Sequence, residues 1–169
     1  LLTSKPVLYV CNVAESDAAT GNSYSQKVAD MAATQQAGHV LVSAAIEAEI
    51  SQLNASDKGE FLAELGLEEA GLARLIRAGY GLLSLLTFFT VGPKEARAWT
   101  VANGATAPQA AGVIHTDFQR GFIRAETISY EDYIAHKGEA GAKDAGRFRV
   151  EGAEYKVVDG DVFHFRFNV

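Results

Sequence analysis

Cysteine is almost absent from this chain, which has a single one, Cys11, among 169 residues. One cysteine forms no disulfide within the chain, and Cys11 lies inside an apolar run, where it is expected to be a small buried side chain in a reducing compartment. A single cysteine without a disulfide partner in the chain favours a cytoplasmic protein. The apolar content of 48% is sufficient for a core that needs no disulfide or metal.

Long apolar runs are also lacking. No run approaches the about 20 residues that span a bilayer, and the N-terminus has no signal-peptide layout, so a soluble chain with no membrane partner is expected. The chain starts at Leu1 without an initiating methionine, which suggests a piece of a longer protein. Zinc-ligand spacing is missing as well, because Cys11 and the four histidines are scattered, at positions 39, 115, 136 and 164.

Positive charge is scarce in the first half. Residues 1–85 hold 5 Lys and Arg against 10 Asp and Glu, whereas residues 86–169 hold 10 against 11, for a net charge of −6. This balance argues against sequence-independent nucleic-acid binding through bulk phosphate neutralisation. A local basic patch in the second half stays open, with Phe118 or Phe122 stacking on a base, and its cations would be Lys94, Arg97, Arg120 and Arg124.

That patch has an alternative interpretation, in which the aromatic rings belong to the core and the arginines form a solvated face. His115 and Asp117 similarly suggest a catalytic base and acid, but no nucleophile with a defined partner accompanies them. His115 is expected instead to be a structural hydrogen-bonding residue at a helix end. No catalytic residue is therefore assigned.

The phosphate-binding motif G-x-x-x-x-G-K-[ST] is absent from the sequence, and the nearest cluster, Gly138–Lys143, has the wrong spacing. Yet Lys5–Glu15 is predicted to be a strand ending in Asn-x-x-Glu, which resembles the base-reading corner of a P-loop domain. In GTP-binding domains the corner is Asn-Lys-x-Asp, whose carboxylate accepts two hydrogen bonds from guanine. Here Val13 and Glu15 replace the Lys and Asp, so an adenine preference or relaxed specificity is expected.

This short motif also occurs by chance, and Asn12 could simply cap the following turn. The segment Val40–Ala45, VLVSAA, adds support because it resembles the Ser-Ala loop that follows the next strand in such domains and whose N–H groups approach the base. It is equally an ordinary strand-to-helix junction. Residues alone leave both interpretations open.

Strand and helix signals alternate in the first half, which predicts an α/β unit with parallel strands. Two apolar runs, Val7–Val10 and His39–Ser43, are the predicted strands. A helix is expected between them over Ser25–Gly38, ended by Gly38. Its inward positions should be Val28, Met31, Ala32 and Gln35.

Three further helices are expected before residue 84. The first covers Ala44–Leu53, and the second is capped by Ser56 or Asp57 and ends at Gly66. The third covers Glu68–Leu83, and its inward residues should be Leu72, Leu75, Ile76 and Leu83.

From Leu86 the pattern becomes β. The predicted elements are, in order, a hairpin of 86–92 and 96–101, a helix over 107–116 with Thr106 as N-cap, a strand over 121–128, a helical turn over 130–135, a partly helical solvated loop over 137–149 and a terminal strand over 161–169. A hairpin, a crossing helix and further strands are the order of a ubiquitin-like β-grasp domain.

A long stretch then carries a specific resemblance: GLEEAGLARLIRAGYGLLSLLTFFTVGPKEARAWTVANGATAPQAAGVIHTDFQRGFIRAETISYEDY, with the terminal DGDVFHFRFNV. From Lys5 to Val169 the chain resembles the C-terminal part of the YchF (Obg-like) ATPases. The resemblance implies an α/β remnant of a P-loop G domain in residues 1–84 and an α+β, β-grasp TGS domain in residues 85–169. Members of that family bind and hydrolyse ATP, and GTP more weakly, with Mg²⁺, and they associate with ribosomes.

The resemblance also implies site residues. Asn12, Val13 and Glu15 would contact adenine, with Ser43, Ala44 and Ala45 in the adjoining loop. Because the phosphate loop and the Mg²⁺-positioning groups are missing, this chain alone is expected neither to hydrolyse nucleotide nor to bind it tightly. The ribosome is the expected partner and RNA a possible one. The alternative is a non-catalytic TGS module that contacts ribosome, RNA or protein.

Overall fold

The first half of the chain is built on two parallel strands, β1 (Leu8–Asn12) and β2 (Gly38–Val42). They belong to a computed structural model that describes residue 1 and residues 4–168. The chain divides into two units, Leu1–Leu83 and Ser84–Val169, and each contains its own apolar core. Cys11, in β1, is half-buried rather than buried as expected.

Helix α1 (Ser23–Thr34) connects β1 to β2 and contacts both strands. The side chain of Asn22 caps its start by accepting hydrogen bonds from two backbone N–H groups. The prediction that Gly38 ends this helix is wrong. Gln36 takes the left-handed conformation, at φ 54°, and the Ala37 N–H donates to the Ala32 carbonyl, so the helix ends four residues earlier.

The predicted inward face of α1 is wrong in part. Ala32 is fully buried, but Met31 is 38% exposed and Gln35 is exposed. The two strands beneath the helix are together no wider than the helix itself, because strands lie about 4.8 Å apart and a helix is about 10 Å across. The described sheet therefore covers only a narrow stripe of α1.

Three helices follow β2: α2 (Ala44–Gln52), α3 (Ala55–Glu64) and α4 (Gly71–Leu82). Asn54, and not Ser56 or Asp57, caps α3, because its side chain accepts from the N–H groups of both those residues. Gly66 follows α3 at φ 68°, as predicted for a helix stop. The core of this unit lies between α2, α3 and the turn before α1, and its buried residues are Ala18, Ile46, Ile50 and Leu67.

The predicted inward face of α4 is wrong for three of its four residues, and only Leu75 is half-buried. Leu72, Ile76 and Leu83 are each more than half exposed. The helix instead approaches β2 through Gly71, whose N–H donates to the Glu47 carboxylate at 2.7 Å and whose Cα lies so near Val42 that an added Cβ would sit 3.3 Å from its Cα. Leu72, Leu75 and Ile76 lie on one apolar side of α4, so the helical period identifies that side correctly but does not show whether the unit covers it.

The second unit is a five-stranded mixed sheet in the order β4-β3-β7-β5-β6. The pair β3 and β7 is parallel and the other pairs are antiparallel. The strands are β3 (Leu85–Val91), β4 (Ala96–Ala102), β5 (Phe122–Ser129), β6 (Arg149–Glu151) and β7 (Asp161–Phe167). Strand β6 was not predicted, and Val169, in the predicted terminal strand, lies outside the described residues.

Four short helices accompany this sheet: α5 (Ala107–Ile114), α6 (Thr116–Arg120), α7 (Tyr130–Ala135) and α8 (Glu139–Asp144). The single helix predicted over 107–116 ends two residues early, because His115 is extended and starts α6. Small residues of α5 pack against aromatic side chains of the sheet, and the core of this unit includes Ala107, Ala110, Ala111, Phe88, Phe163 and Phe165.

Replacing Phe88 tests this core. Phe88 is fully buried, and its ring meets those of Phe163 and Phe165 edge-on at 5.6 and 6.2 Å between centroids. Phe88→Ala should lower the free energy of unfolding by about 3–5 kcal/mol, because it leaves a cavity. Urea unfolding followed by the fluorescence of Trp99, the single tryptophan, measures it. The exposed-site control Val158→Ala should cost less than about 0.5 kcal/mol, and equal losses would contradict the packing.

Candidate functional site

The two loops singled out in the first half meet at the carboxyl ends of β1 and β2. Asn12 is the last residue of β1 and pairs in register with Val42, the last of β2. The Asn12 side-chain oxygen accepts a hydrogen bond of 3.0 Å from the N–H of Ala44, where α2 begins. The Val13 N–H donates to the Val42 carbonyl at 2.9 Å. The structure thus joins the two candidate loops directly.

Most residues at this corner are exposed to solvent. Asn12, Glu15, Ala44 and Ala45 are exposed, and Val13 is half-buried beside them. The first N–H groups of α2 have no partner within the helix, since no turn precedes them. The hydroxyl oxygen of Ser43 is buried and has no hydrogen-bond partner among the described residues. The corner can therefore offer an amide, a carboxylate and helix-start N–H groups to a planar polar ligand.

The loop after β1 is held by residues that the sequence analysis did not single out. Glu15 starts a turn of 3-10 helix over Glu15–Asp17, and the Asp17 carboxylate accepts from the Asn22 side-chain amide at 2.7 Å. The same Asn22 caps α1. Asn22 followed by Ser25 three residues later was the available signal, since this is a variant of the capping-box pattern.

Metal and membrane features are not found in the part of the chain that the structure describes. Across residue 1 and residues 4–168, no group of three or more His, Cys, Asp or Glu side chains is placed to hold a metal ion. Among the helices of those same residues, none has the length and apolar character required to cross a bilayer.

His115 has a structural role. Its Nδ1 accepts a hydrogen bond of 3.2 Å from the Asp117 N–H and so caps α6, as the sequence analysis expected. The Asp117 carboxylate lies 3.4 Å from the same nitrogen and 3.5 Å from the Arg120 guanidinium. Both residues thus have a defined structural role at the start of α6.

The four candidate basic residues do not form one patch. Arg97 lies on the face of the sheet that carries Trp99, which packs on the core. Arg124 lies on the opposite face, because the next residue, Ala125, points into the core. Arg120 is in α6 and pairs with Asp117, and Lys94 lies in the turn between β3 and β4.

The candidate stacking rings pack within the unit. Phe118 stacks on Phe167 at 3.9 Å between centroids, and Phe122 meets Phe165 edge-on at 6.2 Å. Both rings contact the core cluster, as the alternative interpretation predicted. Phe118 nevertheless lines a groove beside Arg97 and Trp99.

Two buried carboxylates of the second unit were not found from the sequence. Glu126 accepts from Arg166 through both oxygens, at 2.9 and 3.1 Å, and this hydrogen bonding lowers its pKa although burial opposes the shift. Asp161 accepts from the Tyr155 hydroxyl and the Val158 N–H, each at 2.9 Å. Burial outweighs those bonds and raises the pKa of Asp161.

Comparison with known proteins assigns the family. Residues 85–168 match the family model YchF-GTPase_C, described as a protein of unknown function (DUF933). The ribosome-binding ATPase YchF of Haemophilus influenzae is 60% identical over 168 residues, which are 99% of this chain and 46% of that protein. The chain belongs to the YchF family. YchF of Bacillus subtilis is 56% identical over 171 residues, covering 100% of this chain and 47% of that relative.

Two solved structures are similar to this chain. The YchF GTPase of Schizosaccharomyces pombe has a TM-score of 0.80 and 34% identity over 98% of this chain and 44% of its own. A GTP binding protein from Pyrococcus horikoshii OT3 has a TM-score of 0.64 at 17% identity, over 97% of this chain and 46% of its own, which is a likeness of fold alone. An α/β fold with a mixed sheet and the predicted YchF membership are confirmed. The chain spans about half the length of the curated relatives it matches.

The two buried carboxylates should give stability opposite pH dependences. The pKa of Glu126 is lowered by folding, so its contribution is present above the ordinary carboxyl range and is lost as the pH falls through the lowered pKa. The pKa of Asp161 is raised by folding, so its contribution is present in full below the ordinary carboxyl range and is lost as the pH rises through the raised pKa.

Compared with the unsubstituted chain, Glu126→Gln should therefore lower the free energy of unfolding more at neutral pH than in acid. Asp161→Asn should lower it relatively more in acid. Urea unfolding at both pH values measures these differences. The same pH trend in both variants would contradict the assigned environments.

Proposed function

We propose that this chain is the C-terminal part of a cytoplasmic, ribosome-associated ATPase of the YchF type, and that its first unit reads the adenine base. The observation that carries the proposal is the hydrogen bond between Asn12 and the Ala44 N–H, which fixes both candidate base loops at one end of two parallel strands. Ligands of open α/β sheets bind outside the carboxyl ends of the strands. The names of the curated relatives, ribosome-binding ATPase YchF, support the same assignment.

Base selection follows from the side chains at the corner. The Asn12 oxygen is occupied by Ala44, which leaves its amide N–H groups to donate to a ring nitrogen such as purine N7. Val13 gives an apolar wall where a GTP-binding domain has lysine. Glu15 is one methylene longer than the aspartate that accepts two hydrogen bonds from guanine, so the guanine-specific pairing is lost and adenine is preferred.

The domain assignment is part of the proposal. Residues 1–84 would be the base-side end of a G domain, because two parallel strands rarely form an independent sheet and the side chains of Val7 and Val10 are about half exposed at 45% and 50%. Residues 85–169 would be a TGS domain of the β-grasp type. The parallel central pair β3 and β7, flanked by β4 and β5, with α5 between the hairpin and β5, supports that assignment.

Hydrolysis is not assigned to these 169 residues. Phosphoryl transfer needs a cradle for the phosphates and a positioned metal ion. The corner has donors and acceptors suited to a base, but the sequence has no phosphate-loop motif and the described residues no metal-binding cluster. ATP with Mg²⁺ would be bound and hydrolysed by the longer protein, and this chain would contribute the base contacts of Asn12, Val13 and Glu15, together with the loop Ser43–Ala45.

A second candidate function is a non-catalytic TGS module that contacts ribosome, RNA or protein. It is favoured by the independent core of the second unit and by the groove beside Arg97 and Trp99. The two functions are compatible in one protein, since they use different units.

Exchanging the corner residues tests the base assignment. In the longer protein, Val13→Lys combined with Glu15→Asp restores the Asn-Lys-x-Asp pattern and should raise the affinity for GTP relative to ATP by about tenfold, as two charge-assisted hydrogen bonds are gained. Calorimetric titration with each nucleotide measures the ratio. Glu49→Asp, on the exposed side of α2, is the matched control and should leave the ratio unchanged. An unchanged ratio in the double variant would contradict the assignment.

A further inference from the structure

Asn22 joins the loop that carries Glu15 to the start of helix α1. Its side-chain Nδ2 donates a hydrogen bond of 2.7 Å to the carboxylate of Asp17, which closes the turn of 3-10 helix that Glu15 begins. We propose that Asn22 is a positioning residue for Glu15, and that the Asn22–Asp17 hydrogen bond sets the preference for adenine over guanine. The proposal rests on the proposed base-reading function of the corner.

Asn22 is itself fixed to helix α1 by three hydrogen bonds. Its Oδ1 accepts from the N–H groups of Tyr24 and Ser25 at 3.0 and 3.1 Å, and its own N–H donates to the hydroxyl of the buried Ser25 at 2.8 Å. Helix α1 contacts both β1 and β2. The Asn22–Asp17 hydrogen bond therefore connects the Glu15 turn to a helix that is packed on the strands of the corner.

The side chain of Glu15 makes no hydrogen bond or ion pair of its own among the residues that the structure describes. Its backbone is held by the turn, in which the Ala18 N–H donates to the Glu15 carbonyl at 3.1 Å. Ala18 is fully buried in the apolar core of the unit. The Gly21 N–H donates to the Asp17 carbonyl at 2.7 Å. The Glu15 carboxylate is therefore placed through its backbone, which Ala18 holds from the core and Asn22 holds from α1.

The position of this carboxylate decides which base it selects. A carboxylate only accepts hydrogen bonds, and guanine offers it a pair of donors that adenine lacks. A Glu15 that is free to move would follow those donors and bind them as the shorter aspartate does in GTP-binding domains. A Glu15 that is held at one place does not reach both, so guanine is disfavoured. Ordering the loop before binding also lowers the entropy that is lost when adenine binds.

Two substitutions break the Asn22–Asp17 hydrogen bond and keep the helix cap. Asn22→Asp and Asn22→Ser each retain an oxygen that caps α1, because Asn, Asp and Ser are about equally good N-cap residues, and each removes the Nδ2 donor. Combining Asp17→Asn with Asn22→Asp restores the hydrogen bond with donor and acceptor exchanged. Asn54→Asp is the matched control, since Asn54 caps α3 and donates to the Asp57 carboxylate, also at 2.7 Å.

Nitrogen-15 relaxation of the nucleoside-free 169-residue chain measures the order of the loop. The order parameters of the Glu15 and Asp17 amides should be about 0.85 in the unsubstituted chain, as in rigid backbone, and should fall toward about 0.6 in Asn22→Asp and Asn22→Ser. The double exchange should restore them. Asn54→Asp should leave them unchanged.

Titration of the same chains with adenosine and with guanosine, followed at the Ala44 amide, measures base selection. Breaking the hydrogen bond should lower the ratio of the guanosine Kd to the adenosine Kd by about three- to tenfold, the effect of one hydrogen bond. The double exchange should restore the ratio, and Asn54→Asp should not change it. A purely structural role of Asn22 would weaken both nucleosides alike and leave the ratio unchanged.

The proposal is overturned if the ratio is unchanged in Asn22→Asp and Asn22→Ser, if the double exchange does not restore it, or if Asn54→Asp lowers it equally. Failure of the proposed function gives a different result. The unsubstituted chain would then bind neither nucleoside at the corner, or both equally, which refutes the base reading and the positioning together. A preference for adenosine that the Asn22 variants retain refutes the positioning alone.

Discussion

The hydrogen bond between the Asn12 side chain and the Ala44 N–H is the contact on which the interpretation of the first unit depends. It is possible only because β1 and β2 are parallel and in register at their ends, so that the loops that follow them emerge at the same edge. A shift of one residue would turn Asn12 to the other face of the sheet. Strand register therefore decides whether the Asn-x-x-Glu motif and the Ser43–Ala45 loop form one site or two unrelated turns.

In the second unit, strand β7 is the element on which most of the other contacts depend. It lies between β3 and β5, and its alternation sends Phe163 and Phe165 into the core and Arg166 to the opposite face, where it pairs with Glu126. Its last residue, Phe167, stacks on Phe118, a residue of α6 that packs against the same core. One strand thus joins the core, the buried ion pair and helix α6. Changes in β7 should therefore affect all three.

Local sequence patterns predicted the positions of the helices and strands well, but they predicted poorly which side of a helix is buried. The strands other than β6, the helical turn over Tyr130–Ala135 and the stop at Gly66 follow from short-range signals, and they were found where expected. The packed side of α4 was missed because it depends on the close approach of Gly71 to Val42, which no periodicity encodes. The Glu126 and Arg166 pair was missed for a similar reason, since its members are 40 positions apart. The base corner was suggested by resemblance, and its internal hydrogen bond joins residues 32 positions apart.

The central claim is that this corner reads adenine, and nuclear magnetic resonance tests it most directly. The amide signals of Val13, Ala44 and Ala45 in the nitrogen-15-labelled chain would be followed as adenosine, and separately guanosine, is added. The nucleosides carry no phosphate, so only base and sugar contacts are measured. The interpretation predicts saturable shifts at these three amides that are larger with adenosine than with guanosine, while Gly152 in the other unit stays unchanged. Unmoved signals at the corner, or equal shifts with both nucleosides, would contradict it.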